Sequence, residues 1–263
     1  MPYELVAEVL SNRPLSGITW ELKLRAHPIA EESLPGQFVM LDTKPTEVED
    51  YDPLNRRPFA VGDAEGAQIT IFYDVVGRGT RKIARLTAGD SVRLLGPLGD
   101  GTFPLYGDRT AVVVAGGIGA SGVSLLVRRL AERKVPTVVL YGARSREYLS
   151  LKEWFEKISR KGVEVRFYTD DGSFGKKGFP LQDLDEFVQN PEKVVVYACG
   201  PKPMLRALKE KAEKLNLETY LSLDRRMACG WGVCLGCVVK TTAGYERVCK
   251  EGPVFEARKL VDF

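Results

Sequence analysis

After about Tyr106 the chain alternates between two kinds of segment, and the alternation repeats four times. Near-continuous apolar runs ("TAVVVAGG", "TVVLYGAR", "VEVRFYTDD", "KVVVYACG") read as strands buried on both faces. Amphipathic stretches follow each ("SGVSLLVRRLAERK", "REYLSLKEWFEKISRK", "PLQDLDEFVQN", "KPMLRALKEKAEKL") and read as helices. Such a run of strand–helix units reads as βαβ units on a parallel sheet. The first hundred or so residues follow another grammar. "YELVAEVLS", "ITWELKLRA", "GQFVMLDT", "RRPFAVGD", "AQITIFYDVV" and "DSVRLLGP" are short β-type runs separated by glycine and proline turns. They predict a small barrel or sandwich, interrupted by one helix at "GTRKIARLTAGD". A last module begins near Ser222. The expected domains are therefore 1–105 (β), 106–221 (α/β) and 222–263 (small module).

Net charge is +3, from 38 basic and 35 acidic residues, with no basic stripe, so nucleic acid and acidic membranes are not expected partners. The N-terminus lacks the pattern of a signal peptide, and the longest apolar stretch is short and glycine-rich, so the expected address is cytoplasmic. Five cysteines in a reducing compartment argue against a disulfide framework. The single histidine, His27, all but rules out histidine catalysis and is expected to be structural or solvated.

Several turns read as nucleotide sites. "VVVAGGIGASG" places Gly116, Gly117, Gly119 and Gly122 after a buried strand and before a helix, where backbone can approach a pyrophosphate. A glycine-rich turn of any α/β fold would look similar. No acidic residue ends the next strand; Arg144 and Arg146 stand there, so the choice of NADH or NADPH stays open. "YACGPKPM" sets Cys199, Gly200 and Pro201 at the ligand-binding edge of the same sheet, though Cys199 also suits a plain buried role. The acidic pair of "FYTDDGSFGKKG" either meets ribose hydroxyls or caps its turn. In the β-rich part, Arg57 beside Pro58 is a rigidly held cation, and Gly79-Thr80 opens a helix with free N–H groups.

Cys229, Cys234, Cys237 and Cys249 follow C-x4-C-x2-C-x11-C. The first three have the plant-type [2Fe–2S] spacing, with a distant fourth ligand. Glycines 230, 232 and 236 let the loop wrap a cluster and aim N–H groups at sulfur. A zinc site would favour paired C-x2-C units. A cluster carries one electron and a nicotinamide carries two as hydride, so the chemistry asks for a flavin between them, and the β-rich domain is the place for it.

At these residues the chain resembles the ferredoxin–NADP reductase superfamily, and within it the electron-transfer subunits of type 1B dihydroorotate dehydrogenase. The likeness runs through "RRPFAV", "YDVVGRGT", "GPLGDGTFPL", "VVAGGIGASG", "YTDDGSFGKKGF", "ACGPKPMLRAL" and "MACGWGVCLGCVVKT…YERVCKEGPVF". It implies a six-stranded antiparallel β-barrel binding FAD, a Rossmann-like α/β domain binding NAD and a C-terminal [2Fe–2S] module. Arg57-Pro58-Phe59-Ala60 matches the flavin-binding strand, with Ala60 where serine is usual. Phe72-Tyr73-Asp74 matches the next flavin strand; Asp74 would repel a phosphate, so its backbone is expected to face the ligand. Gly79-Thr80 matches the phosphate turn, and the four cysteines match the cluster ligands. The resemblance implies an electron path from an FMN-containing catalytic subunit, through the cluster and FAD, to NAD⁺ in pyrimidine biosynthesis. It also implies a heterotetramer of two catalytic and two electron-transfer subunits. The alternatives are the small subunit of an NADH-dependent ferredoxin:NADP oxidoreductase or sulfide dehydrogenase, a stand-alone reductase, and a zinc-bearing binding module. The first of these resembles the chain with aspartate in the first ligand position, which Cys229 argues against.

Overall fold

The computed structural model describes residues 1–263. Its N-terminal part is a curled antiparallel sheet of β1 (Tyr3–Ser16), β2 (Thr19–Arg25), β3 (Phe38–Leu41), β4 (Arg57–Ala60), β5 (Asp63–Glu65), β6 (Gln68–Asp74) and β7 (Ser91–Leu98). The order across it is β4-β3-β7-β1-β2-β6-β5. Six strands have four residues or more, as expected; the seventh, β5, is a three-residue hairpin partner of β6. Alternation along each strand sends one set of side chains inward, among them Val9, Leu22, Leu24, Val39, Leu41, Ile71 and Tyr73. Two helices belong to this part, where the sequence reading expected one. α2 (Arg78–Ile83) was anticipated; α1 (His27–Glu32) was not. Pro28 in the first turn of α1 suits a helix start, and Ile29 and Ala30 plug the barrel end. His27 is solvated, its imidazole 3.9 Å from Glu31.

The second sheet contains β8 (Thr110–Gly116), β9 (Thr137–Ala143), β10 (Val163–Thr169), β11 (Lys176–Lys177), β12 (Val194–Cys199) and β13 (Thr219–Ser222). These are parallel, in the order β11-β10-β9-β8-β12-β13. Both faces are covered, which accounts for the unbroken apolar runs. Ala111, Val113 and Ala115 face α3 (Ala120–Glu132) and Phe155 of α4 (Lys152–Ser159). Val112 and Val114 face Leu205 and Leu208 of α5 (Lys202–Lys214).

Two expected helices differ in detail. "REYLSLKEWFEKISRK" breaks into a 3-10 turn at Arg146–Tyr148 and α4, because Leu149 leaves helical geometry (φ −80°, ψ 56°) and buries in the core with Leu151. "PLQDLDEFVQN" forms a 3-10 helix at Pro180–Phe187, where the Tyr168 hydroxyl donates to Asp183 at 2.9 Å.

The C-terminal part carries β14 (Val238–Thr241), β15 (Gly244–Arg247), β16 (Val254–Glu256) and β17 (Leu260–Asp262). β15, β14 and β17 form a small sheet, while β16 pairs antiparallel with β13 at the edge of the large one. One apolar core joins all three parts, with Phe38, Met40 and Leu98 from the barrel, Leu221 and Leu223, and the ligand candidates Cys237 and Cys249. Barrel and α/β parts are further tied by the Ser124 hydroxyl, which donates to the Gly62 carbonyl at 2.6 Å, and by the Arg128–Asp63 ion pair.

Candidate functional site: two joined cavities and a cysteine loop

A cavity of about 440 Å³ lies where the barrel meets the C-terminal edge of the parallel sheet. The barrel wall is Pro58, Phe59 and Ala60 of β4, Phe72, Tyr73 and Asp74 of β6, and Thr80 of α2. The opposite wall comes from two strand ends. Gly116, Gly117 and Gly119 follow β8, and Cys199, Gly200 and Pro201 follow β12. Gly119 and Gly200 touch: a Cβ at Gly119 would stand 2.5 Å from the Gly200 Cα, so only glycine lets these turns meet. Arg57 and Gly79 are outside this lining and lie against each other, the Arg57 Nε 2.9 Å from where a Gly79 Cβ would be. The Thr80 hydroxyl accepts from the N–H groups of Val76 and Gly77 at 3.0 and 3.1 Å, which fixes the start of α2. Burial pushes the Cys199 thiol up to about 12 against a hydrogen bond with Ser222, so it is a neutral wall group.

A second cavity of about 500 Å³ continues along the sheet edge, sharing Asp74, Gly116, Gly117, Ile118 and Pro201 with the first. It crosses β8 and β9 to Arg144 and then Asp170 beyond β10. The strands are in register there (Cys199 with Ala115, Gly116 with Gly142, Thr169 with Ala143). Three strand steps of ~4.8 Å make the edge about 14 Å long, the scale of an extended dinucleotide. The acidic pair of the sequence divides between two jobs. Asp171 caps its turn, accepting from the Ser173 N–H and hydroxyl at 2.9 and 2.6 Å, while Asp170 lines the cavity. Of the two arginines, Arg144 lines the cavity and Arg146 sits 5.9 Å over the Phe174 ring.

Sequence reasoning missed Thr19, Tyr148, Ser150 and Phe179 in this second cavity, and Ser222, Asp224 and Met227 in the first. Met227 and Phe179 stand at the ends of quoted stretches, "MACGWGVC" and "YTDDGSFGKKGF", without having been singled out; the other five lie in no motif. Thr19 joins the site because β2 pairs with β6 in a register that sets it opposite Asp74.

The cysteines are arranged as two pairs. The sulfurs of Cys229 and Cys234 are 3.3 Å apart, and Cys237 and Cys249 lie side by side, the Cys249 N–H donating to the Cys237 sulfur at 3.4 Å. No three His, Cys, Asp or Glu side chains converge as the ligands of one ion. Two thiol pairs suit a two-iron cluster with two thiolates on each iron. The Trp231 N–H donates to Cys229 sulfur at 3.3 Å and the Gly232 N–H to Cys249 sulfur at 3.1 Å. Such bonds favour thiolate. At Cys229 burial works against them, yet the backbone N–H groups of Cys234 and Trp231 outweigh it and bring the thiol down to about 6. Arg247 donates to the Gly232 carbonyl at 2.8 Å and is held in turn by Glu251. Gly230 has φ +68°, and a Cβ there would lie 2.5 Å from the Met40 Cγ, so the loop rests directly on the barrel. Cys237 and Cys249 are buried, whereas Cys234 is exposed beside exposed Trp231, Val233 and Leu235. Met227, on the wall of the first cavity, is two residues from Cys229, at most about 7.6 Å between Cα atoms. The residues therefore fit the groups their motifs imply: a deep cavity with two glycine-lined helix starts for a flavin nucleotide, a groove for a dinucleotide, and a paired sulfur set for [2Fe–2S].

Comparison with known proteins agrees with this layout. Residues 113–210 match the oxidoreductase NAD-binding domain, and residues 224–261 match the iron-sulfur cluster binding domain of dihydroorotate dehydrogenase B. The NADH-dependent reduced ferredoxin-NADP oxidoreductase structure has a TM-score of 0.83 at 23% identity, covering 98% of this chain and 90% of that one, a likeness of fold alone. The dihydroorotate dehydrogenase B (NAD(+)) electron transfer subunit homolog of Aquifex aeolicus is 43% identical over 98% of this chain and 98% of the relative. The electron transfer subunit of Geobacillus kaustophilus is 39% identical over 96% of each. With that identity over nearly the whole length of both chains, this chain belongs to the electron transfer subunit family of dihydroorotate dehydrogenase B.

Proposed function

We propose that this chain carries electrons from an FMN-containing, dihydroorotate-oxidising catalytic subunit to NAD⁺, holding a [2Fe–2S] cluster and FAD between them. The observation that carries the reading is continuity. The two cavities share a wall at Asp74, Gly116–Ile118 and Pro201, and the cysteine loop starts two residues from Met227. When bound, a flavin exchanges hydride for single electrons and the cluster carries electrons singly.

The chain's own residues bind, orient and exclude water. Pro58, Phe59, Ala60, Phe72 and Tyr73 supply the flavin wall, with Arg57 and the Gly79-Thr80 helix start near its phosphates. Gly116, Gly117 and Pro201, shared by both cavities, with Gly119, Cys199 and Gly200 of the first, supply the nicotinamide side, and Asp170 with Arg144 in the second brackets the distal ribose. Cys229, Cys234, Cys237 and Cys249 ligate the cluster. Exposed Trp231, Val233 and Leu235 form the surface that a catalytic subunit covers. The parts are taken to divide as 1–105, 106–221 and 222–263, with β13 (Thr219–Ser222) reaching across the second boundary. Assembly is two catalytic with two electron-transfer subunits, in the cytoplasm; no helix is long and apolar enough to cross a membrane.

The test is anaerobic co-purification with the candidate flavoprotein, followed by an orotate assay with NAD⁺. Dihydroorotate-dependent NADH formation is expected only when both chains are present. Equal NADH formation by the flavoprotein alone would refute the reading.

A further inference from the structure

Asp74 ends β6, where residues alternate between two environments. Ile71 and Tyr73 point into the barrel core, and Phe72 packs in the core beneath α3. Two residues beyond Phe72, Asp74 shares its outward face. The carboxylate therefore looks toward the α/β part, close enough for its charge to act on Tyr141 of β9. The sequence reading expected the Asp74 backbone, not its carboxylate, to meet the ligand; the alternation favours the carboxylate on this side.

Three further facts make this carboxylate unusual. It lines both cavities, and it is the single ionisable group among the five residues they share. Its hydrogen-bond partner is the Thr19 hydroxyl, which donates to Oδ1 at 2.5 Å from the paired strand. No basic side chain forms an ion pair with it, although Arg144 lines the same second cavity; burial raises its pKa and the Thr19 hydrogen bond opposes that. A partly buried carboxylate normally has a cation beside it. Here the protein provides none, at the spot where two nucleotide cavities meet.

We propose that the Asp74 carboxylate is the counter-charge for the nicotinamide ring, attracting the cationic ring of NAD⁺ and not the neutral ring of NADH. The proposal rests on the functional reading above, since that reading brings the ring to this junction. Hydride from the reduced flavin carries two electrons to the ring. The new C–H bond cancels the ring's positive charge as the flavin is reoxidised. The attraction is thus present for the substrate and absent for the product, which holds NAD⁺ until it is reduced and then releases NADH. Thr19 keeps the carboxylate oriented and shares its charge with a donor.

The test uses the FAD- and iron-loaded protein and calorimetric titration with NAD⁺ and with tetrahydro-NAD, whose ring is neutral and unreactive. Asp74→Asn keeps the acceptor for Thr19 and removes the charge. NAD⁺ binding is expected to weaken on the order of tenfold, as for a charge pair near a protein surface, and tetrahydro-NAD binding to change by about twofold or less. Asp74→Glu, which keeps the charge, is expected to retain the preference for NAD⁺. Equal loss of both ligands in Asp74→Asn would overturn the proposal, because a steric or hydrogen-bonding role would do that. So would an Asp74→Glu protein that behaved like Asp74→Asn. Wild-type protein that bound neither dinucleotide would overturn the functional reading itself.

Discussion

The contact between Gly230 and Met40 sets a measurable limit on the cysteine loop. Alanine at 230 would suffer twice. The backbone there is left-handed, φ +68°, which costs a residue with a Cβ roughly 1 kcal/mol. The new Cβ would also meet Met40 Cγ at 2.5 Å and Sδ at 2.7 Å. Met40 is 1% exposed and cannot swing aside, so overpacking adds about 1–3 kcal/mol. The sum is about 2–4 kcal/mol, or a fall in Tm of roughly 5–10 °C for a chain of this size. Gly66→Ala is the control. Gly66 has φ +56° but no atom within 4 Å of its Cβ position, so it should lose only the roughly 1 kcal/mol of strain. Scanning calorimetry of holoprotein and iron per chain are the assays. Gly230→Ala should lose more stability than Gly66→Ala and also lose iron. Adding Met40→Ala to Gly230→Ala should return the overpacking part as a favourable coupling of about 1–3 kcal/mol. Equal losses at 230 and 66, with no coupling to Met40, would refute the reasoning.

Two other outcomes follow from the site. Cys249→Ser should lose iron and the visible absorption of the cluster yet keep FAD and NADH-dependent ferricyanide reduction; full-rate transfer to the partner in that variant would contradict the electron path. Glu218 is pushed up by burial but held down at about 2 by hydrogen bonds from Tyr106, Arg109 and Tyr220, which join the barrel-side linker to β13. A carboxylate lowered on folding contributes stability above its unfolded value of 4.5, and loses it as pH falls toward 2. Urea midpoints between about pH 5 and pH 3 should therefore fall more steeply for wild type than for Glu218→Gln, and parallel slopes would count against that role.

Much of the fold was legible because buried parallel strands and amphipathic crossovers leave period-specific patterns in the chain. "TAVVVAGG" reads as a strand covered on both faces, and β8 is one. The misses have equally local causes. α1 is six residues long and carries too few apolar positions to show a helical period. Leu149 breaks an otherwise helical stretch because the core offers it a better place than the helix does. β13 and β16 are four and three residues long, and their pairing is decided by partners distant in sequence.

The same division runs through the site. Covalent spacing alone restricts what Cys229, Cys234, Cys237 and Cys249 can ligate, and a glycine-rich turn between strand and helix carries its anion-binding amides wherever it folds. These properties are local, so the sequence by itself determined the cysteine loop, the glycine-rich turns and the order of the three parts. Which residues share a cavity is not local. Thr19 reaches Asp74 through strand register, Arg57 retreats behind Gly79, Met227 joins the cavity wall, and Asp171 turns to capping while Asp170 does not. Tertiary structure alone decided those, because strand pairing and domain packing join residues far apart in the chain, where neither spacing nor composition acts.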